Sequence, residues 1–361
     1  MKNIFSYLII MILLICFGCV PERTNEADPV SEEYNPAKAF DLVPRTGHKC
    51  VIYESKMFII GGSVPDKTTI SPSTKVDMFN FKKRKSYKMA DMNEPRSGHQ
   101  AILIDDRIFV FGGIKGFSGS NFSPEYTTSI EEYSIEENKW KIVGQMPVMN
   151  DTYSGKSYNV VFSNISEYND RIYYAGGMGI YIFDPENYTF ANKFVMFDYN
   201  SMKIGDRKGV IYGSKIYTFN SWYNGPITCT SAYDIKANTW TQKTPNPAGN
   251  VNQIDSATVI SLDEKVYFIG GQTQVFNSDG TSSPGDYYYQ TDVYNIKDDS
   301  WSTAANIPVS RIGGDAVLYD GKIYHLGCKN HPGPDYEHDN DPDYFRIMIY
   351  NPEKNKWKFY E

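Results

Sequence analysis

The sequence predicts an all-β fold assembled from repeated four-stranded units, and three observations lead to it. Aromatic side chains are abundant, with 29 Tyr and 20 Phe among 361 residues, and together with frequent β-branched residues they suit pleated, packed surfaces. Amphipathic helical periodicity is missing after residue 20. A short apolar strand that opens on Lys or Arg and closes on a glycine pair recurs along the chain, followed at fixed spacing by an aromatic pair.

Aligned on the opening basic residue, six units appear: Lys56-Met-Phe-Ile-Ile-Gly61-Gly62, Arg107-Ile-Phe-Val-Phe-Gly112-Gly113, Arg171-Ile-Tyr-Tyr-Ala-Gly176-Gly177, Lys215-Ile-Tyr-Thr-Phe-Asn220-Ser221, Lys265-Val-Tyr-Phe-Ile-Gly270-Gly271 and Lys322-Ile-Tyr-His-Leu-Gly327-Cys328. Successive openers lie 51, 64, 44, 50 and 57 residues apart. An apolar run such as Ala101-Ile-Leu-Ile precedes each opener across a tight turn such as Asp105-Asp106. After the glycines a loop of varied length leads to a third strand, and a tight turn leads to a fourth. Tyr133 and Trp140, Tyr233 and Trp240, Tyr294 and Trp301, and Tyr350 and Trp357 each have six residues between them. Phe183 and Phe190 keep the spacing, and the first unit has Phe79 but Ser86. The second strands are apolar on both faces, whereas a half-wet antiparallel strand would alternate. A sheet stacked between two others needs that pattern.

A diglycine followed by a Tyr and a Trp six residues apart resembles the Kelch repeat. The resemblance covers about 44–361 and implies a six-bladed β-propeller of four-stranded antiparallel blades, an architecture that leaves only short, protected edges. Asn220-Ser221 and Gly327-Cys328 depart from the diglycine, so blades 4 and 6 should bend differently there. Each blade reads as continuous in sequence. The expectation is therefore that the ring closes through side-chain packing alone, with Phe40-Asp41-Leu42 as a candidate extra strand.

The first 19 residues read as an export signal. Tyr7 to Phe17 is almost wholly apolar but too short to span a bilayer comfortably. Gly18-Cys19 resembles the lipobox of bacterial lipoproteins, although Cys16 stands where that pattern usually has Leu. The resemblance implies lipidation at Cys19 and an exported, envelope-anchored protein facing the periplasm or in the outer membrane, touching the membrane only through its lipid. Residues 20–43, rich in Pro, Glu and Asp, read as an acidic flexible tether. Of the remaining cysteines, Cys50, Cys229 and Cys328 make no metal or disulfide framework; Cys50 and Cys328 fall in neighbouring units of a closed ring, where a bridge is allowed but not implied.

Net charge is -7, and the longest basic run is Lys82-Lys83-Arg84-Lys85, at the expected tip of a hairpin. Nucleic-acid binding is disfavoured. The lead-ins to the first strands carry the candidate chemistry. Arg45, Arg96 and Arg311 fall eleven residues before their openers, and His48, His99 and Arg207 eight before theirs, with Lys156 nearby in the third unit. Units six, one and two are neighbours in a closed ring, so these cations would form an arc at one channel mouth. Guanidinium forks suit carboxylate or phosphate geometry, which makes an anion-binding mouth one reading. The competing reading pairs the arginines with blade carboxylates and backbone carbonyls. His331 to Asp343, with alternating Asp339, Asp341 and Asp343, has the oxygen density of a Ca²⁺ loop, but Pro342 interrupts it and a solvated loop is the plainer reading. No cofactor or metal is expected. The copper set of the radical oxidases, which resemble this architecture, cannot be assigned from five His.

The leading expectation is an envelope-anchored binding module for a protein or a glycan, the ligand anionic if the cations face the mouth. The alternative is a sugar mutarotase or epimerase acting on an acidic monosaccharide such as a sialic acid, since bacterial sialic-acid mutarotases are also exported six-bladed Kelch propellers.

Overall fold

The computed structural model describes residues 32–33, 42–65, 70–118, 123–147, 149–150, 157–158, 164–176, 179–193, 207–222, 225–247, 254–255, 257–276, 282–328 and 345–360. They form six four-stranded antiparallel blades, each continuous in sequence and each with its strands in the order first, second, third, fourth. Blade 1 holds Lys49–Tyr53, Lys56–Ile60, Val76–Asn80 and Lys85–Lys88. Blade 2 holds Gln100–Ile104, Arg107–Phe111, Ser129–Ser134 and Lys139–Gln145. Blade 3 holds Asn164–Tyr168, Arg171–Gly176, Gly179–Asp184 and Thr189–Lys193. Blade 4 holds Arg207–Tyr212, Lys215–Trp222, Gly225–Asp234 and Thr239–Lys243. Blade 5 holds Thr258–Leu262, Lys265–Ile269, Thr291–Asn295 and Ser300–Ala304. Blade 6 holds Ile312–Tyr319, Lys322–Cys328, Met348–Asn351 and Lys356–Phe359. The first strand of every blade approaches the first strands of both neighbours, and blade 6 meets blade 1 in the same way. The first strands therefore surround the axis, and the fourth strands form the rim.

Burial follows from stacking. The third strand Val76–Asn80 is buried at every position, and in the second strands of blades 1 and 2 all but the opening Lys56 or Arg107 is buried. The fourth strand of blade 2 buries Trp140 between exposed Lys139 and Lys141. The apolar core is divided into six clusters, one for each blade interface.

A polar clamp fixes the angle between blades. Trp140 Nε1 donates to the carbonyl of Ala90 at 2.9 Å, and the Ala90 amide donates to Asn138 Oδ1 at 2.8 Å. Tyr133 Oη donates to the same Oδ1 at 2.7 Å and holds it in place. One residue of the preceding linker is thus gripped at both backbone poles. Trp357, Asn355 and Tyr350 treat Ala305 identically, and Trp301, Asp299 and Tyr294 treat Thr244 so. The Asn or Asp lies five residues after the Tyr with positive φ (49° at Asn138, 44° at Asn355), a conformation that Asn and Asp tolerate better than most residues.

The glycine pair decides where strands stop. Gly61 and Gly62 have φ of 57° and 94°, and the pairs at 112–113 and 270–271 match them. A Cβ on Gly61 would lie 2.7 Å from the Arg96 carbonyl oxygen and 2.7 Å from His99 Cε1. In these three blades the second strand ends at the pair, and a separate hairpin follows. In blades 4 and 6, where the pair is altered, the second strand runs on through Trp222 and Cys328.

One expectation about closure changes. The ring is not sealed by side-chain packing alone: Gly47 N donates to Gly313 O at 2.7 Å, and Cys50 N donates to Asp315 Oδ2 at 2.7 Å. Cys50 is a free, buried thiol, so the Cys50–Cys328 bridge is not formed. The candidate strand at 40–42 lies, but for Leu42, outside the described residues, and Glu32–Glu33 pairs on the outer strand of blade 1. No helix among the described residues is long and apolar enough to cross a membrane.

Asn138→Gly preserves the positive φ and removes only the acceptor shared by Ala90 and Tyr133. The expected loss is about 1–3 kcal/mol, read from urea denaturation. The turn neighbour Glu137→Ala should stay within about 0.5 kcal/mol of wild type.

Candidate functional site

The two ends of the ring are built differently. At one end, first and second strands are joined by two-residue turns such as Asp105-Asp106 and Asp320-Gly321. At the other end lie the lead-ins and the second-to-third connections. Here blade 1 adds the hairpin Ser63–Pro65/Ile70–Pro72, blade 2 adds Ile114–Ser118/Ser123–Tyr126, and blade 5 adds Gln272–Phe276/Ser282–Tyr287. Lead-ins bridge to these hairpins through Thr46–Ser63, Ser97–Ile114 and the short strand Ile254–Asp255 against Gln272–Thr273. Of the five large apolar side chains exposed among the described residues, Phe117, Tyr287 and Tyr289 belong to this hairpin face.

The cationic arc exists, but its charge points into the blades. Arg45, Arg96 and Arg311 are at most 1% exposed. Arg45 is ion-paired with Asp77, and its Nη1 donates to the carbonyls of Gly61 and Lys75, both at 3.1 Å. Arg96 meets Glu131 Oε1 at 3.0 Å and donates to the carbonyls of Gly112 (2.7 Å) and Ser129 (2.9 Å). Burial lowers the Arg96 pKa, and the charges of Glu131 and Glu94 oppose that. Arg311 Nη2 donates to Arg346 O at 3.2 Å, four residues before Tyr350, the place that Lys75 and Ser129 hold before Phe79 and Tyr133. Asp77 and Glu131 stand two residues before the third-strand aromatic, where blade 6 has Met348.

The rest of each lead-in joins blades. Gly62 N donates to Arg96 O at 2.7 Å, and Gly271 N to Arg311 O at 2.8 Å. Gly98 N donates to Gly47 O, and Gly47 N to Gly313 O, each at 2.7 Å, so the glycines of three Arg-x-Gly segments form a backbone chain across blades 2, 1 and 6. A Cβ on Gly47 would fall 2.5 Å from Ser97 Oγ, and its φ is 65°. His48 and His99 are also buried, packed under Gly62 and Gly113. Blade 6 has Gly314 in their place, and His325 from the second strand fills the space, its Nε2 2.8 Å from Thr258 Oγ1.

Burial holds the His48 imidazole down to about 3, with the Arg45 and Lys49 charges adding to it and the carbonyls of Arg45 and Leu326 opposing. Burial and the Arg311 and His48 charges hold His325 down to about 3, and His99 is lowered well below the usual range, first by burial and then by Arg96. All three are neutral at pH 7. Arg207 begins the first strand of blade 4, opposite Asn220. Lys156, Cys19 and the loop from His331 to Asp343 lie outside the described residues.

The structure therefore takes the pairing reading of the arginines. Carboxylates and carbonyls of their own blades hold Arg45 and Arg96, the Arg346 carbonyl accepts from Arg311, and His48 and His99 are buried beneath the glycine pairs. The mutarotase alternative is not favoured, since Arg45, Arg96, Arg311, His48 and His99 are all buried. What sequence reasoning missed is the hairpin face and its aromatics, which carry no period. The missed signal for the arginines was the Gly two residues after each, which marks a backbone demand, not a ligand. No group of three or more His, Cys, Asp or Glu among the described residues could hold a metal ion.

Comparisons with known proteins agree with this architecture. The family model described as "Kelch motif" matches residues 44–93 and 95–147. Those spans are blades 1 and 2, the two in which both the lead-in arginine and its carboxylate are present. Kelch-like protein terF of Aspergillus terreus is 22% identical over 236 residues, 64% of this chain and 39% of its own. Human Kelch-like protein 15 is 24% identical over 330 residues, 88% of this chain and 42% of its own. Beta-scruin of Limulus polyphemus is 25% identical over 310 residues, 76% of this chain and 29% of its own. The chain thus spans 42% or less of the length of these relatives. Among solved structures, that titled "Structure of YjhT" superposes with a TM-score of 0.66 at 12% identity, over 90% of this chain and 99% of the other, a likeness of fold.

Two expectations test the structural role of the lead-ins. Arg96→Met strands Glu131 inside blade 2 and should cost about 3–5 kcal/mol, with Arg96→Met/Glu131→Met recovering part of it; near-neutral stability of the single variant would return Arg96 to the ligand side. The buried imidazoles also set a pH limit. Their folded pKa lies below the unfolded 6.5, so the unfolded chain binds more protons as pH falls. Their contribution is intact above about pH 6.5 and is lost progressively toward pH 3, by up to ~1.4 kcal/mol per unit for each group. Denaturation midpoints measured from pH 8 to pH 5 should begin to fall below about pH 6.5.

Proposed function

Since this chain is a Kelch-repeat β-propeller, we propose that it acts as a protein-binding module through its hairpin face. The observation that carries this reading is the asymmetry of the ring: tight turns close one end, whereas hairpins with exposed Phe117, Tyr287 and Tyr289 crown the other. Blades 2 and 5 stand opposite each other in a ring of six, so the aromatics flank the mouth from both sides. Aromatic side chains with polar surroundings are the usual anchors of protein interfaces. A protein partner is favoured over a small anion because the arginines of the mouth are already paired within the blades.

The place of action in this proposal is the cell envelope. Residues 7–19 supply an apolar export segment ending at Cys19, and lipid on that thiol would anchor the propeller at a membrane. The partner would then be an envelope or extracellular protein.

The test is photo-crosslinking in the native host from probes placed beside Phe117 and Tyr289. A Phe117→Ser/Tyr287→Ser/Tyr289→Ser variant should lose the crosslinked partner by at least about tenfold, as expected when interface anchors are truncated. Tyr212→Ser, at the tight-turn end and also exposed, should retain it. Equal loss in both, or retention in the triple variant, would defeat the assignment of the face.

A further inference from the structure

Blade 5 keeps the carboxylate that pairs with a lead-in arginine elsewhere, but its lead-in has no arginine. Asp292 stands two residues before Tyr294, the place that Asp77 and Glu131 hold before Phe79 and Tyr133. Like them it is buried, at 3% exposed. The arginine position of this blade is Ile254, eleven residues before the opener Lys265. Strand register agrees: Asp255 pairs with Gln272, the residue after the glycine pair, as Thr46 and Ser97 pair with Ser63 and Ile114. Among the described residues no Lys or Arg is paired with Asp292. Neutral donors take the arginine's part. Tyr288 Oη donates to Oδ2 at 3.1 Å, and Gln290 Nε2 donates to Oδ1 at 2.6 Å. Burial, and then the Asp292 charge and the bond to it, raise the Tyr288 pKa, so the phenol keeps its proton. These bonds leave the charge of a buried carboxylate without a countercharge, which is a costly arrangement. They also leave acceptor capacity, since a carboxylate has about four acceptor sites.

We propose that Asp292 is the core of a guanidinium receptor, and that the protein partner of the hairpin face places an arginine side chain in it; the second half rests on the function proposed above. Blades 1 and 2 show what such a receptor holds. There one guanidinium serves a carboxylate and two carbonyls: Asp77 with Gly61 and Lys75, and Glu131 with Gly112 and Ser129. Gly270 and Gln290 stand at the corresponding backbone places in blade 5. The flat donor fork of arginine suits that set, whereas the compact ammonium of lysine matches it less well. The fold has already taken Asp292 out of water, so a cation brought to it gains more than it would at an exposed carboxylate. Access is from the hairpin face. Tyr288 and Gln290 are half-buried, and the residues on either side of Tyr288, Tyr287 and Tyr289, are exposed. Tyrosine rings add attraction for a guanidinium over their faces. The net charge of -7 draws cationic segments from further away.

The probe is N-acetyl-arginine amide, titrated into the full chain and followed by saturation-transfer NMR, with the neutral N-acetyl-citrulline amide as control. The arginine amide should bind at least about tenfold more tightly than the citrulline amide, the ratio expected of a charge-assisted hydrogen bond. Asp292→Asn should remove that preference. Ile254→Arg keeps Asp292 and should fill the receptor from within, abolishing binding of the arginine amide and raising the urea midpoint. Equal affinities for the two amides, or a preference that survives Asp292→Asn, would overturn the receptor. The titration needs no partner, so its outcome is independent of the hairpin-face assignment. In the crosslinking experiment Asp292→Asn should lower the yield about tenfold. An unchanged yield, beside loss in the Phe117→Ser/Tyr287→Ser/Tyr289→Ser variant, would sink the arginine contact and leave the face standing.

Discussion

The structure depends on a grip that blades 2, 5 and 6 take on the linker of the blade before them. Hydrophobic burial drives blades together but is non-directional, and six sheets with apolar faces could stack at many angles. The clamp removes that freedom. Trp140 and Asn138 hold the carbonyl and amide of Ala90, and Tyr133 fixes the Asn138 oxygen between two donors. A linker crossing between blades would otherwise leave its peptide groups desolvated and unpaired, at a cost of about 1–3 kcal/mol each. The same aromatics that fill the wedge also satisfy those groups, so packing and polar satisfaction are met by one set of residues.

A second set of contacts, nearer the axis, works in the same way. Arg45 and Arg96 tie the lead-in of a blade to its own diglycine turn and third strand, while the Arg96 and Arg311 carbonyls receive the amides of the preceding blade's second glycine. A buried ion pair is weak evidence for stability by itself. Here the guanidinium also satisfies carbonyls exposed by the glycine break, which makes its role geometric. With rim and axis both fixed, the hairpins that rise from the glycine breaks are released from any packing duty and can vary in length and side chain.

The sequence made the frame legible because the clamp and the glycine break are local and repeat in register. Trp140 and Tyr133 announce themselves through spacing, and blades 4 and 6 bend differently just where Asn220-Ser221 and Gly327-Cys328 replace the pair. The arginines can be placed at one height in the ring from their spacing, but their heading cannot. Their carboxylates lie 32 and 35 residues further along, at Asp77 and Glu131, and only the strand pairing shows that these positions converge. Asn138 could be read as a turn residue but not as the acceptor for a neighbouring blade. Phe117 stands in an inserted hairpin and Tyr289 just after another, neither of which has a period, so no repeat singles them out.

The seam between blades 6 and 1 shows what the clamp does by showing what replaces it. At this interface the three clamp positions are Phe79, Arg84 and Ser86, none of which can perform its part. The gripped place, four residues after the Trp position, is Glu361, outside the described residues. An aromatic cluster takes over: Tyr360 meets Phe79 edge-on at 5.5 Å, Phe81 stacks on Tyr319 at 4.5 Å, and Arg84 lies 5.8 Å from the Tyr360 ring. Direction is restored near the axis, where Asp315 accepts from the Cys50 amide and Gly313 from the Gly47 amide. The seam must bring together strands more than 250 residues apart in sequence, so its closure carries the largest loop entropy in the molecule. Ring stacking, which tolerates small displacements, suits a contact that has to form across that separation. The backbone bonds at the axis then set its register.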